Sequence, residues 1–191
     1  MTAAIAPVAV PLAKAYRLLN HGPVTLVSSA HGDRSNVMAA SWAMALDFDP
    51  AKVAVVVDKS TLTRQLIEAS GEFALNIPSR RIAPETLKVG TLSGKDGDKW
   101  AAAGLESFPA ERITAPLVAG CVGWLECRII PEPHNQQRYD LFLAEVVAAW
   151  ADPRVFSDGH WHFGDDMLRT IHYVAGGSFF ITGPAFDVGT E

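Results

Sequence analysis

Apolar and polar positions change in short runs along this chain, with turn residues between them. Val24-Thr25-Leu26-Val27-Ser28-Ser29 is rich in β-formers and ends at His31-Gly32-Asp33-Arg34, which is turn chemistry. The pattern resumes from Asn36 to Leu46, so a hairpin is predicted here. Val53-Ala54-Val55-Val56-Val57 is a continuous apolar run, as expected for a strand buried on both faces. From Thr61 the spacing becomes helical (Leu62, Leu66, Ile67, Ala69) until Gly71 stops it. Phe73-Ala74-Leu75-Asn76-Ile77 is a strand again, halted by Pro78.

The stretch from Ile82 to Gly104 mixes short helical pieces with the polar run Ser93-Gly94-Lys95-Asp96-Gly97-Asp98-Lys99-Trp100. Cys121 to Ile130 and Tyr139 to Trp150 are two long strands joined across Pro131-Glu132-Pro133-His134-Asn135-Gln136-Gln137. Strands of that length suggest a strongly coiled sheet wrapping into a barrel. A short strand around Trp161-His162-Phe163 and a glycine-rich tail after Tyr173 follow. Strands outnumber helices and no regular βαβ alternation occurs, so the fold class is mainly β: an antiparallel barrel with peripheral helices. Neither a repeat nor a dividing linker is visible. The 191 residues read as one domain with an N-terminal arm over 1–20 and a C-terminal tail over 176–191. Met1 to Leu12 is apolar without a basic start and is interrupted by Pro7 and Pro11, which suggests a loose arm rather than a signal peptide.

Composition narrows the partners. Hydrophobic residues make up 49% and charged residues only 19%, thin cover for a lone domain, so part of the apolar surface is expected to enter a homo-oligomer interface. The net charge is −5 and no basic block exceeds Arg80-Arg81, which argues against nucleic acid. No apolar run approaches the ~18 residues of a membrane span. Cys121 and Cys127 fall on one strand, six residues or ~20 Å apart, too far for a bridge. A reduced, cytoplasmic protein is expected.

Two segments could carry chemistry. At the predicted helix start, Lys59-Ser60-Thr61-Leu62-Thr63-Arg64 gathers three hydroxyls and two cations where the first amides are unpaired, which suits a phosphate. The plain alternative is that Ser60 or Thr61 is an N-cap. In Asn36-Val37-Met38-Ala39-Ala40-Ser41-Trp42-Ala43-Met44, small residues inside a strand make sense where something flat lies against the backbone. The alternative is a small-residue stripe under a neighbouring helix, with Trp42 in the core. His160-x-His162 could bind metal, but no third ligand is visible and a polar hairpin face is preferred, so no metal is assigned. Ser28-Ser29 lack the glycines of a nucleophile elbow. Asn76 is read as satisfying a neighbouring loop. There is no G-x-G-x-x-G and no P-loop.

In order, these segments resemble the flavin reductase-like FMN-binding split-barrel family, with flavoredoxins nearest. The resemblance runs through Asn36 to Trp42, Asp49-Pro50, Ser60-Thr61-x-Thr63, Gly71 to Ile77, Ser93-Gly94-Lys95-x-x-Asp98-Lys99-Trp100, Gly104-Leu105, His134 and Leu143-x-Glu145-Val146, covering roughly residues 20 to 175. It implies a Greek-key-like split β-barrel that forms a homodimer and binds FMN non-covalently. By position, Asn36 and Trp42 would contact the isoalloxazine, and Ala40 and Ser41 would offer backbone amides to its polar edge. Ser60, Thr61 and Thr63 would take the phosphate, while Lys99 and the loop residue His134 would contact the flavin. Trp100 stands where a phenylalanine is more usual, and His172-Tyr173-x-x-Gly176-Gly177 matches the flavin-covering segment only loosely.

The implied activity is that of an oxidoreductase taking hydride from NADH or NADPH and reducing free flavin or another acceptor. The flavin does the chemistry, so no catalytic side chain is named. The alternative is a flavoredoxin-like carrier that exchanges electrons with a redox protein partner. A split barrel holding haem or nothing would leave the Ser60-Thr61-Thr63 cluster without a purpose.

Overall fold

The computed structural model describes residues 6–189. The chain opens with β1 (Val8–Ala9), α1 (Leu12–Ala15) and a 3-10 turn, then β2 (Thr25–His31), β3 (Arg34–Ala40), β4 (Ala43–Phe48) and β5 (Ala51–Val56). Helix α2 (Leu62–Ser70), β6 (Glu72–Pro78), α3 (Ala83–Thr91) and α4 (Lys99–Ala103) follow. After the short β7 (Ser107–Phe108) and β8 (Leu117–Val118) come β9 (Cys121–Ile130), α5 (Pro133–Tyr139) and β10 (Leu141–Ala151). The hairpins β11 (Phe156–Ser157)–β12 (His160–Trp161) and β13 (Ile171–Ala175)–β14 (Ser178–Ile181) complete it.

The main sheet runs β3-β2-β6-β9-β10-β5-β4, and its pairings are antiparallel. Its two end strands, β3 and β4, are neighbours in sequence, joined only by Ser41 and Trp42. The sheet must therefore curl until its ends meet, which makes the expected barrel with a seam between β3 and β4. The single strand expected from Asn36 to Leu46 is thus two strands that turn a corner at Ser41-Trp42 and pair on opposite sides, β3 with β2 and β4 with β5.

Side chains alternate across the central strands between two cores. Val27, Val53, Val55, Phe73, Leu75, Leu125 and Phe142 fill the barrel. Leu26, Val37, Ala74 and Trp124 face the other way and pack with Val89, Ala103, Leu105 and Leu117. Cys121 and Cys127 are both free and buried, and burial raises both thiol pKa values. Asn76 spans β2 and the β8 segment, as expected: its amide donates to Leu26 O at 2.8 Å and accepts from Val118 N–H at 2.9 Å.

Two connections differ from expectation. The arm does not run loose over 6–20: β1 pairs with β10, and Val10, Ala15, Leu18 and Leu19 are buried in the barrel core. The beginning of the arm, Met1 to Ile5, lies outside the described residues. The segment between β9 and β10 is helix α5 rather than a loop, with Pro133 in its first turn and Asp140 closing it at φ 55°.

Helix α2 is capped by Thr61, whose hydroxyl accepts from Arg64 N–H at 3.1 Å. The Arg64 side chain, 5% exposed, clamps this helix to the barrel. Nη1 donates to Val57 O (3.1 Å) and Asp140 Oδ1 (3.0 Å), Nη2 to Gln136 O (2.8 Å), and Nε to Glu68 (2.6 Å). The guanidinium also lies 4.7 Å from the centre of the Phe142 ring. Because buried hydrogen bonds from a charged donor contribute ~1.5–3 kcal/mol each and the acceptors would lose their partner, Arg64→Met should destabilise the protein by about 3 kcal/mol in urea unfolding. Arg64→Lys should recover less than half of that, since an ammonium lacks the planar fork.

Candidate functional site

Helix α2 begins where β5 leaves the sheet, so its first turn is delivered to the rim of the barrel beside β3. Two adjoining cavities follow β3 from there. One, of about 260 Å3, is lined by Asn36, Met38, Ser60, Thr61, Leu62, Thr63, Leu92, Ser93, Gly94 and Lys99. The other, of about 160 Å3, is lined by Val24, Ser41, Thr86, Leu87, Tyr173 and Phe179. Ala39, Gly90 and Thr91 belong to both, so the two form one groove, polar at the α2 end and largely apolar at the other. Helix α3 forms one wall, and it comes close because its Gly90 faces Ala39: a Cβ at Gly90 would stand 3.3 Å from that of Ala39. On the groove side β3 has no strand partner among the described residues, which leaves main-chain groups free along that edge.

At the polar end the hydroxyls differ in their engagement. Ser60 Oγ donates to Asp58 Oδ1 at 2.5 Å, and Ser60 N–H donates to the same oxygen at 2.7 Å. These bonds are the main reason the Asp58 carboxyl pKa is lowered. Thr61 both caps the helix and donates to Asp58 O at 2.8 Å. Thr63 is fully buried and accepts a 2.8 Å hydrogen bond from Asn36 Nδ2. The amides of Leu62 and Thr63 have no acceptor among the described residues, as usual for the first turn of a helix.

Lys99 opens α4 behind the cap formed by Asp98, whose carboxylate accepts from Trp100 N–H at 2.9 Å. It is buried, lines the polar cavity and has no carboxylate partner among the described residues. Desolvation lowers its pKa from 10.5 to about 8. Arg64, the second cation counted at the helix start in the sequence, is instead turned under the helix into its clamp.

Of the residues singled out in sequence, Asn36, Ser41, Ser60, Thr61, Thr63 and Lys99 line the groove. Ala40 turns its side chain into the barrel core, and its carbonyl accepts from Thr25 Oγ1 at 3.1 Å. Trp42 is 75% exposed at the corner, neither in the core nor in either cavity. His134 sits on α5, exposed, edge-on to Tyr139 at 5.7 Å and outside both cavities. His162 is held by Ser157, Nε2 to Oγ 2.9 Å. The small-residue strand does lie under a helix, since Ala39 meets α3, and it also lines the groove. Tyr173, which the sequence placed in the loosely matched flavin-covering segment, pairs edge-to-face at 5.3 Å with Phe179, which the sequence did not single out. They face each other across the β13–β14 hairpin, and only the Gly176-Gly177 turn hinted at that hairpin.

The depressed Lys99 pKa has a measurable sign. Between pH 8 and 10.5 the unfolded chain holds a proton that folded Lys99 has released, so raising the pH through that window favours the folded state. Urea unfolding of the wild type and Lys99→Met should therefore diverge in favour of the wild type above pH 8, by at most ~1.4 kcal/mol per pH unit. Below pH 8 their difference should stay constant. Parallel profiles from pH 7 to 10 would refute the burial argument.

The profile of the family described as the flavin reductase like domain matches residues 17–170. The Escherichia coli (strain K12) protein YddH is 43% identical over 183 residues, covering 94% of this chain and 97% of that protein. A crystal structure of an FMN-binding domain of a flavin reductases-like enzyme from Shewanella baltica OS155 superposes with a TM-score of 0.95 at 49% identity, covering 97% of this chain and 99% of the other. Flavoredoxin of Desulfovibrio vulgaris (Miyazaki F) is 26% identical with a TM-score of 0.76, covering 87% of this chain and 90% of that one. With its curled antiparallel sheet, the groove along β3 and a match spanning most of its length, this chain belongs to the flavin reductase like domain family.

Proposed function

We propose that the groove binds FMN non-covalently and that the protein is an oxidoreductase taking hydride from NADH or NADPH and reducing free flavin or another acceptor. The observation that carries this reading is the polarity of the groove. At one end stand a buried hydroxyl with its hydrogen free, two helix amides and a buried ammonium, all without a partner among the described residues; at the other, two aromatic rings. An amphipathic ligand with a phosphate at one end and a flat ring system at the other fits that gradient.

Thr63, the Leu62 and Thr63 amides and Lys99 would hold the phosphate, with Thr61 keeping the first turn in place. Ser60 would join them only by releasing Asp58, because its hydroxyl hydrogen is already donated. Ala39 and Ser41 would offer the free edge of β3 to the polar side of the ring, and Tyr173 and Phe179 would keep water from its apolar end. When bound, the flavin supplies reversible hydride acceptance and electron transfer. In the single chain Trp42 and His134 do not reach the groove. The likeness to a flavoredoxin favours a second reading, an FMN electron carrier serving a redox protein. Two buried, unbridged thiols fit a reducing compartment, which supports the cytoplasm.

The purified protein should be yellow or become so with FMN, and riboflavin should bind at least tenfold more weakly because the phosphate contacts are missing. Equal dissociation constants would remove the phosphate site. Steady-state oxidation of NADH or NADPH with added free flavin separates the two readings: turnover supports the reductase, none the carrier.

A homodimer is part of the same proposal. On β4 every second residue is apolar and exposed: Met44 at 56%, Leu46 at 46% and Phe48 at 62%, continuing the exposed Trp42. Such a stripe on an edge strand is the surface a second copy would cover. Light scattering should give twice the chain mass at micromolar concentration, and Leu46→Glu with Phe48→Asp should give the monomer. A wild type that stays monomeric would refute the interface.

A further inference from the structure

We infer that Gly94 and Asn36 act as a pair of positioning residues that aim the Thr63 hydroxyl hydrogen at an anionic, phosphate-type group in the polar end of the groove. The inference rests on the proposed FMN site and explains how its strongest neutral donor is set. A threonine hydroxyl can give its hydrogen to any acceptor nearby, and in a helix the usual acceptor is a carbonyl of the preceding turn. Here Asn36 Nδ2 donates to Thr63 Oγ1 at 2.8 Å, and Thr63 makes no other side-chain hydrogen bond among the described residues. The oxygen is thereby occupied as an acceptor and its own hydrogen is left for the cavity that Thr63 lines.

What orients the Asn36 amide is then decisive. Asn36 is 3% exposed, and its bond to Thr63 is its only side-chain hydrogen bond among the described residues. Its cross-strand neighbour Ser29 is fully buried, and its hydroxyl has no partner among the described residues, so Ser29 does not hold the amide by a hydrogen bond. The constraint comes from the Ser93-Gly94 turn. A Cβ on Gly94 would stand 2.4 Å from Asn36 Oδ1, 2.9 Å from Cγ and 3.0 Å from Nδ2, so only a glycine lets the turn lie flat on the amide. Gly94 does not occupy the left-handed region, and the three heavy atoms nearest to an alanine Cβ there all belong to the Asn36 amide. A methyl group there collides with the Asn36 amide as it stands, and the amide, as the end of a flexible side chain, is the group expected to turn off Thr63.

The test is a double-mutant cycle on the full chain: wild type, Gly94→Ala, Asn36→Ala and both together, with dissociation constants for FMN, riboflavin and inorganic phosphate. Gly94→Ala should weaken FMN about tenfold and riboflavin less than twofold, and it should have no further effect in the Asn36→Ala background. An unchanged ratio of FMN to riboflavin affinity, or an equal loss in both backgrounds, would overturn the inference. Inorganic phosphate separates this idea from the cofactor reading. If no flavin binds but phosphate does, and Gly94→Ala weakens it, the FMN reading fails and the positioning pair stands. If phosphate binds equally to both or to neither, the pair fails. Should Gly94→Ala not fold, Asn36→Ala and Thr63→Val replace it: a double variant no worse than either single one supports the relay, and additive losses overturn it.

Discussion

The seam between β3 and β4 governs the rest of the molecule. Two connecting residues span at most ~11 Å between the strands, yet these strands lie at opposite ends of the sheet path. No flat sheet satisfies both conditions. Curling the sheet satisfies them and fills the interior with Phe73, Leu75, Leu125 and Phe142. It also leaves one edge of β3 without a ladder partner, and a free main-chain edge needs water, a ligand or a covering element. Helix α3 covers it only in part, because Gly90 lets the wall approach Ala39 while leaving room alongside. The groove is thus a by-product of closing the barrel.

A second dependence concerns the polar end. A helix terminus holds an anion well only if it does not move, and α2 is fixed by a guanidinium tied to Val57 just past β5, to α5 and to the turn before β10. That arrangement divides the work between two cations. Arg64 is permanently charged and pointed inward, where it fixes geometry; Lys99 is desolvated and lines the cavity, where its charge has no partner among the described residues. An arginine suits the first place because of its planar fork, and a lysine the second because its charge responds to its surroundings.

The strands were legible because burial on two faces writes long apolar runs, as in Val53 to Val57, and because turn residues mark the β2–β3 hairpin. The corner at Ser41-Trp42 was not, since it carries neither glycine nor proline and the small-residue pattern passes straight through it. Helix α5 was hidden for another reason. It buries no side chain, and Gln136 is held to the barrel through its backbone carbonyl, which leaves no periodicity to read. In the site, the hydroxyl cluster announced itself by composition and local spacing. Arg64 misled because a cation at a helix start looks the same in sequence whether it faces a ligand or the core. Phe179 escaped notice, and Tyr173 was legible only as part of a loosely matched segment, because only the tertiary fold brings the last hairpin beside β3.

The two thiols on β9 carry one more consequence. Cysteine meets peroxide or a disulfide as the thiolate, and burial without a stabilising cation keeps both Cys121 and Cys127 in the protonated form. The proposed flavin chemistry, run in the presence of dioxygen, would generate oxidants beside the protein. Here the sulfur atoms are packed as small hydrophobes within the sheet, so exposure to peroxide should leave both thiols unmodified as long as the chain stays folded.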